Sequence, residues 1–273
     1  MVGSLAQLIA LAAHGNAYLA GGYDAGGFYP GNSVFQYCKE VVFAALTKRN
    51  PLTMVDIARN PNKWFQYLKE NGCRRLWLGH QATQNAGLAD HLSVAFVGGG
   101  GTTYIFSDFP KQTAYWIGRW EVADKDAPDH RIWKVTYARI GVNESEYDGQ
   151  SGDLEACKSN VKAALTRIEA FAIRHDQAGF AGCFRRGLES LESNDPVSLI
   201  DEKDWLPQIG YGLAARQIYM AACQSWVFGG MGSWNDLVFQ DPIENSEYED
   251  LSRQLYEAIN SGIELSVNSF KAQ

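Results

Sequence analysis

Four side chains are the strongest candidates for acid–base chemistry in this sequence: Asp24, His80, His91 and Asp236. His91 follows an aspartate and lies eleven residues after His80, so a loop that folds back would bring the two imidazoles together. An imidazole beside a carboxylate or a second imidazole can transfer protons close to neutral pH. If the fold gathers these residues around an aromatic pocket, the sequence predicts a small-molecule hydrolase. The plainer interpretation makes both histidines ordinary loop or capping residues.

Neither a metal ion nor a cofactor is indicated by the other motifs. The five histidines form neither His-Glu-x-x-His nor His-x-His, the spacings that place two imidazoles on one ion. The glycines Gly98–Gly101 lead into an alternating apolar segment, Thr102–Phe106, whereas a phosphate loop needs a Lys and a following helix. We therefore expect a hairpin turn at these glycines, no metal ion and no cofactor.

Two loops rich in glycine and aromatic residues are difficult to explain as core segments. The predicted contact residues are Tyr23, Asp24, Phe28 and Tyr29 in the first loop and Trp234, Asn235 and Asp236 in the second. Aromatic side chains offer a large contact area for few ordered rotamers, so such loops are typical of recognition surfaces. For the second loop, Gly229–Asp236, a structural alternative exists. A glycine would end the preceding helix, Trp234 would dock on the core, and a polar side chain would close the turn.

The charge balance favours a protein partner over nucleic acid or a membrane surface. The 273-residue chain has a net charge of −7 and no block of five or more basic residues. Binding to phosphate backbones or anionic lipids needs clustered Lys and Arg, so both are excluded, whereas an acidic face suits a basic protein. The five cysteines are far apart and form no Cys-x-x-Cys, which predicts unpaired thiols in a reducing, cytoplasmic setting.

Two functional hypotheses of different class follow. The first is an acidic cytosolic binding or regulatory protein without chemistry of its own, and an immunity-type inhibitor of a basic effector is its most concrete form. The second is the hydrolase described above. A deep pocket with convergent polar groups would favour the enzyme, and a flatter acidic or aromatic patch would favour the binding protein. The oligomeric state stays open, since the chain could also be one subunit of an assembly.

The elements that would position these residues begin with a short amphipathic helix. The apolar run Leu5–Ala13 resembles a signal segment, but no basic residue precedes it and Gln7 interrupts it. We expect this helix to end near His14-Gly15, with a cleaved signal as the less favoured alternative. A capping-box pattern at Ser33-x-x-Gln36 predicts a second helix over Val34–Leu46.

The rest of the first half combines one helix with four strands. Asn60-Pro61 is a helix start, and Asn71-Gly72 is the corresponding stop. The predicted strands form two hairpins, Leu92–Val97 with Thr102–Phe106 and Tyr115–Val122 with Arg131–Ile140. Short connections of this kind favour an antiparallel meander.

After the acidic, polar stretch Asn143–Gly152 the sequence is almost entirely helical. Asp153 is a predicted cap, a second helix is expected over about Gln208–Phe228, and a third starts at Ser246 and ends at Gly262. The expected fold is α+β, with an antiparallel four-stranded meander in the first half and a predominantly helical second half packed on it. The corresponding regions are 1–145 and 146–273, which could also form one continuous domain.

Overall fold

The computed structural model describes residues 1–46, 53–83, 89–94, 99–143, 152–199 and 204–272. Within these ranges the strands are β1 (Cys38–Leu46), β2 (Met54–Ala58), β3 (Arg75–Gln81), β4 (Thr102–Phe109), β5 (Gln112–Val122) and β6 (Trp133–Asn143). The helices are α1 (Gly3–Ala20), α2 (Pro61–Glu70), α3 (Asp90–Ser93), α4 (Leu154–Arg174), α5 (Ala178–Glu192), α6 (Leu213–Gln224) and α7 (Pro242–Asn268). The α+β prediction is therefore confirmed.

The sheet is larger than predicted and mixed in direction. Its strand order is β2-β1-β6-β5-β4-β3. The β1–β6 pair is parallel and the other four pairs are antiparallel. The four-stranded antiparallel meander is wrong in this respect, because β1, β2 and β3 extend the sheet on both sides. The predicted β5–β6 hairpin is present, with Trp120 opposite Val135.

The helix predicted over Val34–Leu46 is also wrong, because most of that segment is strand β1. Only Ser33–Phe35 is helical, as a single 3-10 turn. Residues 41–45 are all buried, so both faces of β1 are covered. A continuous apolar run of this kind fits a helical and a strand period equally well. The two adjacent β-branched valines in it were the signal for a strand.

The predicted hairpin around the four glycines does not form. Leu92 and Ser93 belong to helix α3, and residues 95–98 lie outside the described residues. Strand β4 instead pairs with β3 on one side and with β5 on the other. The β4–β5 connection is a two-residue turn, Pro110-Lys111, between the paired residues Phe109 and Gln112.

Two helix starts predicted from capping residues are confirmed, whereas the start predicted at Ser246 is wrong because α7 begins at Pro242, after the Asp241 cap. Asn60 accepts the Lys63 amide at 2.8 Å and caps α2, and Asp153 caps α4 in the same way. The predicted end of α7 at Gly262 is wrong, because the helix continues to Asn268. A β-carbon at Gly262 would lie 2.9 Å from Ile218, so this glycine permits close packing of α7 on α6.

Helix α1 is a core helix that is buried on nearly every side. It continues past the predicted end at His14-Gly15 to Ala20. Gly15 allows a close approach to β3, since a methyl group there would overlap the Leu76 side chain. Three polar residues, Gln7, His14 and Asn16, are buried within this otherwise apolar helix. No helix within the described ranges is long and apolar enough to cross a lipid bilayer.

The outer edge of β3 is closed by two asparagine side chains, an arrangement that we call the asparagine-capped edge. Asn16 of α1 donates to the Leu76 carbonyl at 2.8 Å and accepts the Leu76 amide at 2.7 Å. Asn268 at the end of α7 makes the same two bonds to Leu78, both at 2.8 Å. Each amide side chain thus replaces a neighbouring strand at one residue.

The two predicted regions share packing. Apolar residues on both sides of the predicted boundary belong to one core cluster, and α7 packs against β3. Residues 144–151, where that boundary is predicted, lie outside the described residues. The division into 1–145 and 146–273 therefore stays a prediction.

Candidate functional site

A cavity of about 450 Å³ lies between the last turns of α1, the loop that follows it, and residues 204–209. We call it the His14 cavity. Its described lining residues are His14, Tyr23, Asp24, Gly27, Phe28, Gly31, Asn32, Asp204, Leu206, Pro207, Gln208 and Ile209. Three of the residues predicted for the first loop, Tyr23, Asp24 and Phe28, are among them. Tyr29 instead packs edge-to-face on Phe35 with ring centroids 5.2 Å apart.

The hydrogen bonds of His14 fix the position of its ring proton. Nε2 lies 2.8 Å from the carbonyl oxygen of Asp204, and Nδ1 contacts the hydroxyl group of Tyr23. A carbonyl oxygen can only accept, so Nε2 carries the proton of the neutral ring. Nδ1 then holds a lone pair, and the Tyr23 hydroxyl donates to it. The Tyr23 oxygen therefore presents only acceptor lone pairs to a ligand.

This pair can relay a proton. A proton taken up by the Tyr23 oxygen would displace the hydroxyl proton onto Nδ1 of His14. The resulting imidazolium would keep its Nε2–H bond to the Asp204 carbonyl. A base oriented by a third group is the general arrangement that activates a nucleophile or moves a proton in enzymes.

Burial sets the ionisation of both members of the pair. The pKa of His14 is lowered from 6.5 to about 4 because burial disfavours the imidazolium, although the Asp204 carbonyl bond and the Asp204 charge act in the opposite direction. The pKa of Tyr23 is raised, first by burial and then by the charge of Asp24. At neutral pH both rings are therefore uncharged.

We expect His14 to make folding stability depend on pH between 6.5 and 4. The unfolded chain binds a proton at this histidine in that range and the folded chain does not, so the stability present above pH 6.5 is lost as the pH falls to 4. The loss is about 3 kcal/mol for a shift of this size. It can be measured by urea unfolding of the wild type and of His14→Gln at pH 7 and pH 4.

The comparison between the two proteins isolates His14. His80 and His91 also have lowered pKa values through burial, and burial raises the pKa of Glu264, but these groups titrate in both proteins and cancel in the difference. Equal pH dependence of the wild type and the variant would contradict the assignment of a buried, neutral His14.

Asp204 connects the 204–209 side of the cavity to residues 32 and 33 of the chain that follows α1. Its carboxylate accepts the Ser33 amide at 2.5 Å and the Ser33 hydroxyl at 2.6 Å. Its carbonyl accepts from Asn32 as well as from His14. Trp205 donates to the Ser33 hydroxyl oxygen at 2.8 Å, which completes the connection. The His14 ring is held from the other side by Phe28, stacked with centroids 4.5 Å apart.

Sequence reasoning missed three residues of this site: His14, Asn32 and Asp204. Their contacts span up to 190 residues of chain, so no local spacing records them. One signal was available for His14, because a histidine in an otherwise apolar buried helix must find hydrogen-bond partners. That signal identifies buried polar contacts without naming the partners.

The second predicted loop, Gly229–Asp236, surrounds a tryptophan that is part of the core. Trp234 has no exposed surface, and its indole N–H donates to the Ser252 hydroxyl at 2.7 Å. Its ring contacts four aromatic neighbours, Phe171, Phe180, Phe184 and Tyr248. The tryptophan thus docks on the core as the structural alternative expects, and any contact surface of this loop consists of the residues around it.

The polar residues of this loop hold its shape. Asn235 donates to the His91 carbonyl at 2.7 Å, and the Asp236 carboxylate accepts the Gly232 amide at 2.5 Å. The preceding helix α6 ends at Gln224, before the glycines, so none of them caps it. Asp236 itself is exposed. The binding role predicted for Asn235 and Asp236 stays a prediction.

The chain from Met231 to Glu244, which we call segment 231–244, exposes unusual apolar surface. Met231, Ile243 and Val238 are 102%, 80% and 75% exposed, and the next most exposed large apolar side chain in the described residues is at 57%. The segment has three carboxylates and no Lys or Arg. All three carboxylate residues are exposed. It therefore combines apolar contact area with negative charge.

The four residues proposed for acid–base chemistry are not gathered into one cluster. His80 contacts the Thr103 hydroxyl at 3.1 Å, and His91 is buried on α3. Burial lowers the pKa of both, and the charge of Asp90 acts on each in the opposite direction, so the two histidines lie near one carboxylate. Asp24 lies in the His14 cavity instead. No hydrogen bond or ion pair of the described residues joins it to either histidine.

Comparison with known proteins adds no functional assignment. The chain matches no protein-family model, no curated protein and no solved structure. Function is therefore argued from the two surfaces described above.

Proposed function

We propose that this chain is a cytosolic acidic binding protein that recognises a basic protein partner through segment 231–244. An immunity-type protein that neutralises a basic effector is the most concrete form of this function. The observation that carries the proposal is that the three most exposed large apolar side chains of the described residues lie in one short acidic stretch. Exposed apolar side chains rimmed by polar groups are typical of interaction sites.

Two further features support this proposal. A partner with an apolar pocket and a basic rim would be complementary to the segment, which accelerates encounter and fixes orientation. The segment is also held in one conformation, because Trp234 docks it on the core and Asp241 caps α7 through the Ile243 amide at 2.7 Å. A preorganised surface loses less entropy on binding. None of the five cysteines, all of which lie in the described residues, forms a disulfide bond, which suits the reducing cytosol.

The test is affinity capture from the native host followed by quantitative mass spectrometry. We expect a stoichiometric basic partner with the wild type. The triple variant Met231→Ser, Val238→Ser, Ile243→Ser should lose affinity by about 100-fold or more, because it lacks three apolar side chains that the partner would bury. The matched control replaces three exposed apolar residues of the sheet, Val122→Ser, Ile140→Ser and Val142→Ser, and should bind as the wild type does.

Charge can be tested separately with the same partner. Glu244→Gln should weaken binding and reduce its dependence on salt, since exposed charges act mainly through long-range attraction. Equal capture by the triple variant and the control would contradict the proposal. A wild type that captures only copies of itself would contradict it as well.

A further inference from the structure

We propose that the His14 cavity binds a small molecule that carries an ammonium group, with the Tyr23 hydroxyl oxygen and the Asp24 carboxylate as acceptors of its N–H groups. This site is separate from segment 231–244 and does not depend on the function proposed there. Three features of the cavity favour such a ligand: the direction of its hydrogen bonds, the charge of its lining, and its apolar surface.

The inner polar groups leave mainly acceptors available. The Tyr23 proton is donated to His14, and the Nε2 proton of His14 is donated to the Asp204 carbonyl. Asn32 donates to the same carbonyl. Asp24 accepts the Gly26 amide at 2.8 Å with one oxygen and keeps further lone pairs on its carboxylate. A ligand that meets these groups must therefore supply the hydrogen-bond donors.

The charge of the cavity lining also favours a cationic ligand. Two carboxylates, Asp24 and Asp204, line the cavity, and none of the described lining residues is Lys or Arg. The Asp204 carboxylate is hydrogen-bonded to Ser33 but has no cationic partner among the ion pairs of the described residues. A concave site lined by charge of one sign attracts ligands of the opposite sign and repels phosphates and carboxylates.

The apolar lining of the cavity determines what the rest of the ligand can be. The apolar part of the lining consists of Leu206, Pro207, Ile209, Phe28 and the ring of Tyr23. A volume of about 450 Å³ lies within the range of small-molecule sites. An ammonium group on a compact apolar body satisfies both the acceptors and this apolar lining.

The experiment compares ligands that share a body and differ in their polar group. Benzylamine, benzyl alcohol and benzoate, and the cyclohexyl series with the same three groups, are titrated into the full chain at pH 7 and followed by ligand-observed NMR and calorimetry. We expect both amines to bind about tenfold more tightly than the alcohols and the carboxylates not to bind.

Asp24→Asn should make the amine and the alcohol bind with similar affinity, since the amide still accepts the Gly26 amide but has lost its charge. Tyr23→Phe should weaken the amine about tenfold because an acceptor is removed. The matched control is Asp126→Asn, an exposed aspartate in the β5–β6 connection, which should bind as the wild type does. Unchanged melting temperatures show that the variants are folded.

Three outcomes would overturn the proposal: benzoate binding as tightly as benzylamine, an amine affinity that Asp24→Asn leaves unchanged, or no binding of either amine at about 10 mM, a concentration that would nearly saturate a site with a Kd of about 1 mM. None of these results bears on segment 231–244, which is tested by its own variants.

Discussion

Replacing Trp234 with alanine lowers the free energy of unfolding by about 4 kcal/mol, the largest effect that we expect of any substitution in the second loop. The indole has no exposed surface and contacts the rings of Phe171, Phe180, Phe184 and Tyr248. Truncation leaves a cavity among these rings and removes the hydrogen bond to Ser252. Urea unfolding followed by circular dichroism measures the change.

The neighbouring aspartate serves as the control for this substitution. Asp236→Ala should cost less than about 1 kcal/mol, because the side chain is exposed and its one bond is to the Gly232 amide. Near-wild-type stability of Trp234→Ala, together with lost capture of a partner, would mean that the indole acts at the surface rather than in the core. The two variants thus separate the structural role of this loop from its proposed binding role.

Asn268→Leu should destabilise the fold by about 3 kcal/mol, because it leaves the amide and the carbonyl of Leu78 buried without partners. Leucine has the same branched shape as asparagine but bulkier methyl groups, so a cost of overpacking adds to the loss of the two hydrogen bonds. Both bonds are 2.8 Å long and both groups are buried. Chemical unfolding gives the free energy of unfolding, and hydrogen exchange of the Leu78 amide shows directly whether this edge of the strand is still protected.

The same change at an exposed asparagine provides the comparison. Asn160→Leu, on the surface of α4, should alter stability by less than about 0.5 kcal/mol. Asn16→Leu should behave like Asn268→Leu, with exchange protection lost at Leu76 instead. If Asn268→Leu is as stable as Asn160→Leu and Leu78 exchanges as slowly as before, the asparagine-capped edge contributes nothing to the sheet.

The starts of α2 and α4 were predictable from sequence because the interactions that make them are local. The side chains of Asn60 and Asp153 accept hydrogen bonds from backbone amides two or three residues later, so each cap involves only residues close together in sequence. The β5–β6 hairpin was predictable for a similar reason, since both strands alternate and a polar turn joins them.

The elements that were mispredicted depend on partners far away in sequence. Strand β1 resembles a helix in its apolar spacing, and its strand conformation depends on pairing with β2 on one side and with β6, about ninety residues later, on the other. Gly262 has the residue type of a helix end, but its position against Ile218 requires a small residue inside a continuing helix. Such close approaches are set by tertiary packing, so a single sequence does not distinguish them from caps.

The residues of the candidate site were also predictable only where the signal was local. Tyr23, Asp24 and Phe28 were found from the composition of one loop, and they line the His14 cavity. His14 and Asp204 were not found, because one lies in an apolar helix and the other lies 190 residues away. The grouping of His80, His91, Asp24 and Asp236 stays a prediction, and Asp24 lines the His14 cavity, whose described lining contains none of the other three.

The asparagine-capped edge also has a consequence for the order in which the chain is made. Leu78 and the side chain that covers it are 190 residues apart. At the usual 5–20 residues per second, a ribosome needs about 10–40 s to produce the intervening chain. During that interval Asn16 can already cover Leu76, but the edge of strand β3 at Leu78 has no cap, which is the period when a second β-strand could add there. Translation speed between these two codons therefore sets how long the growing protein is open to aggregation.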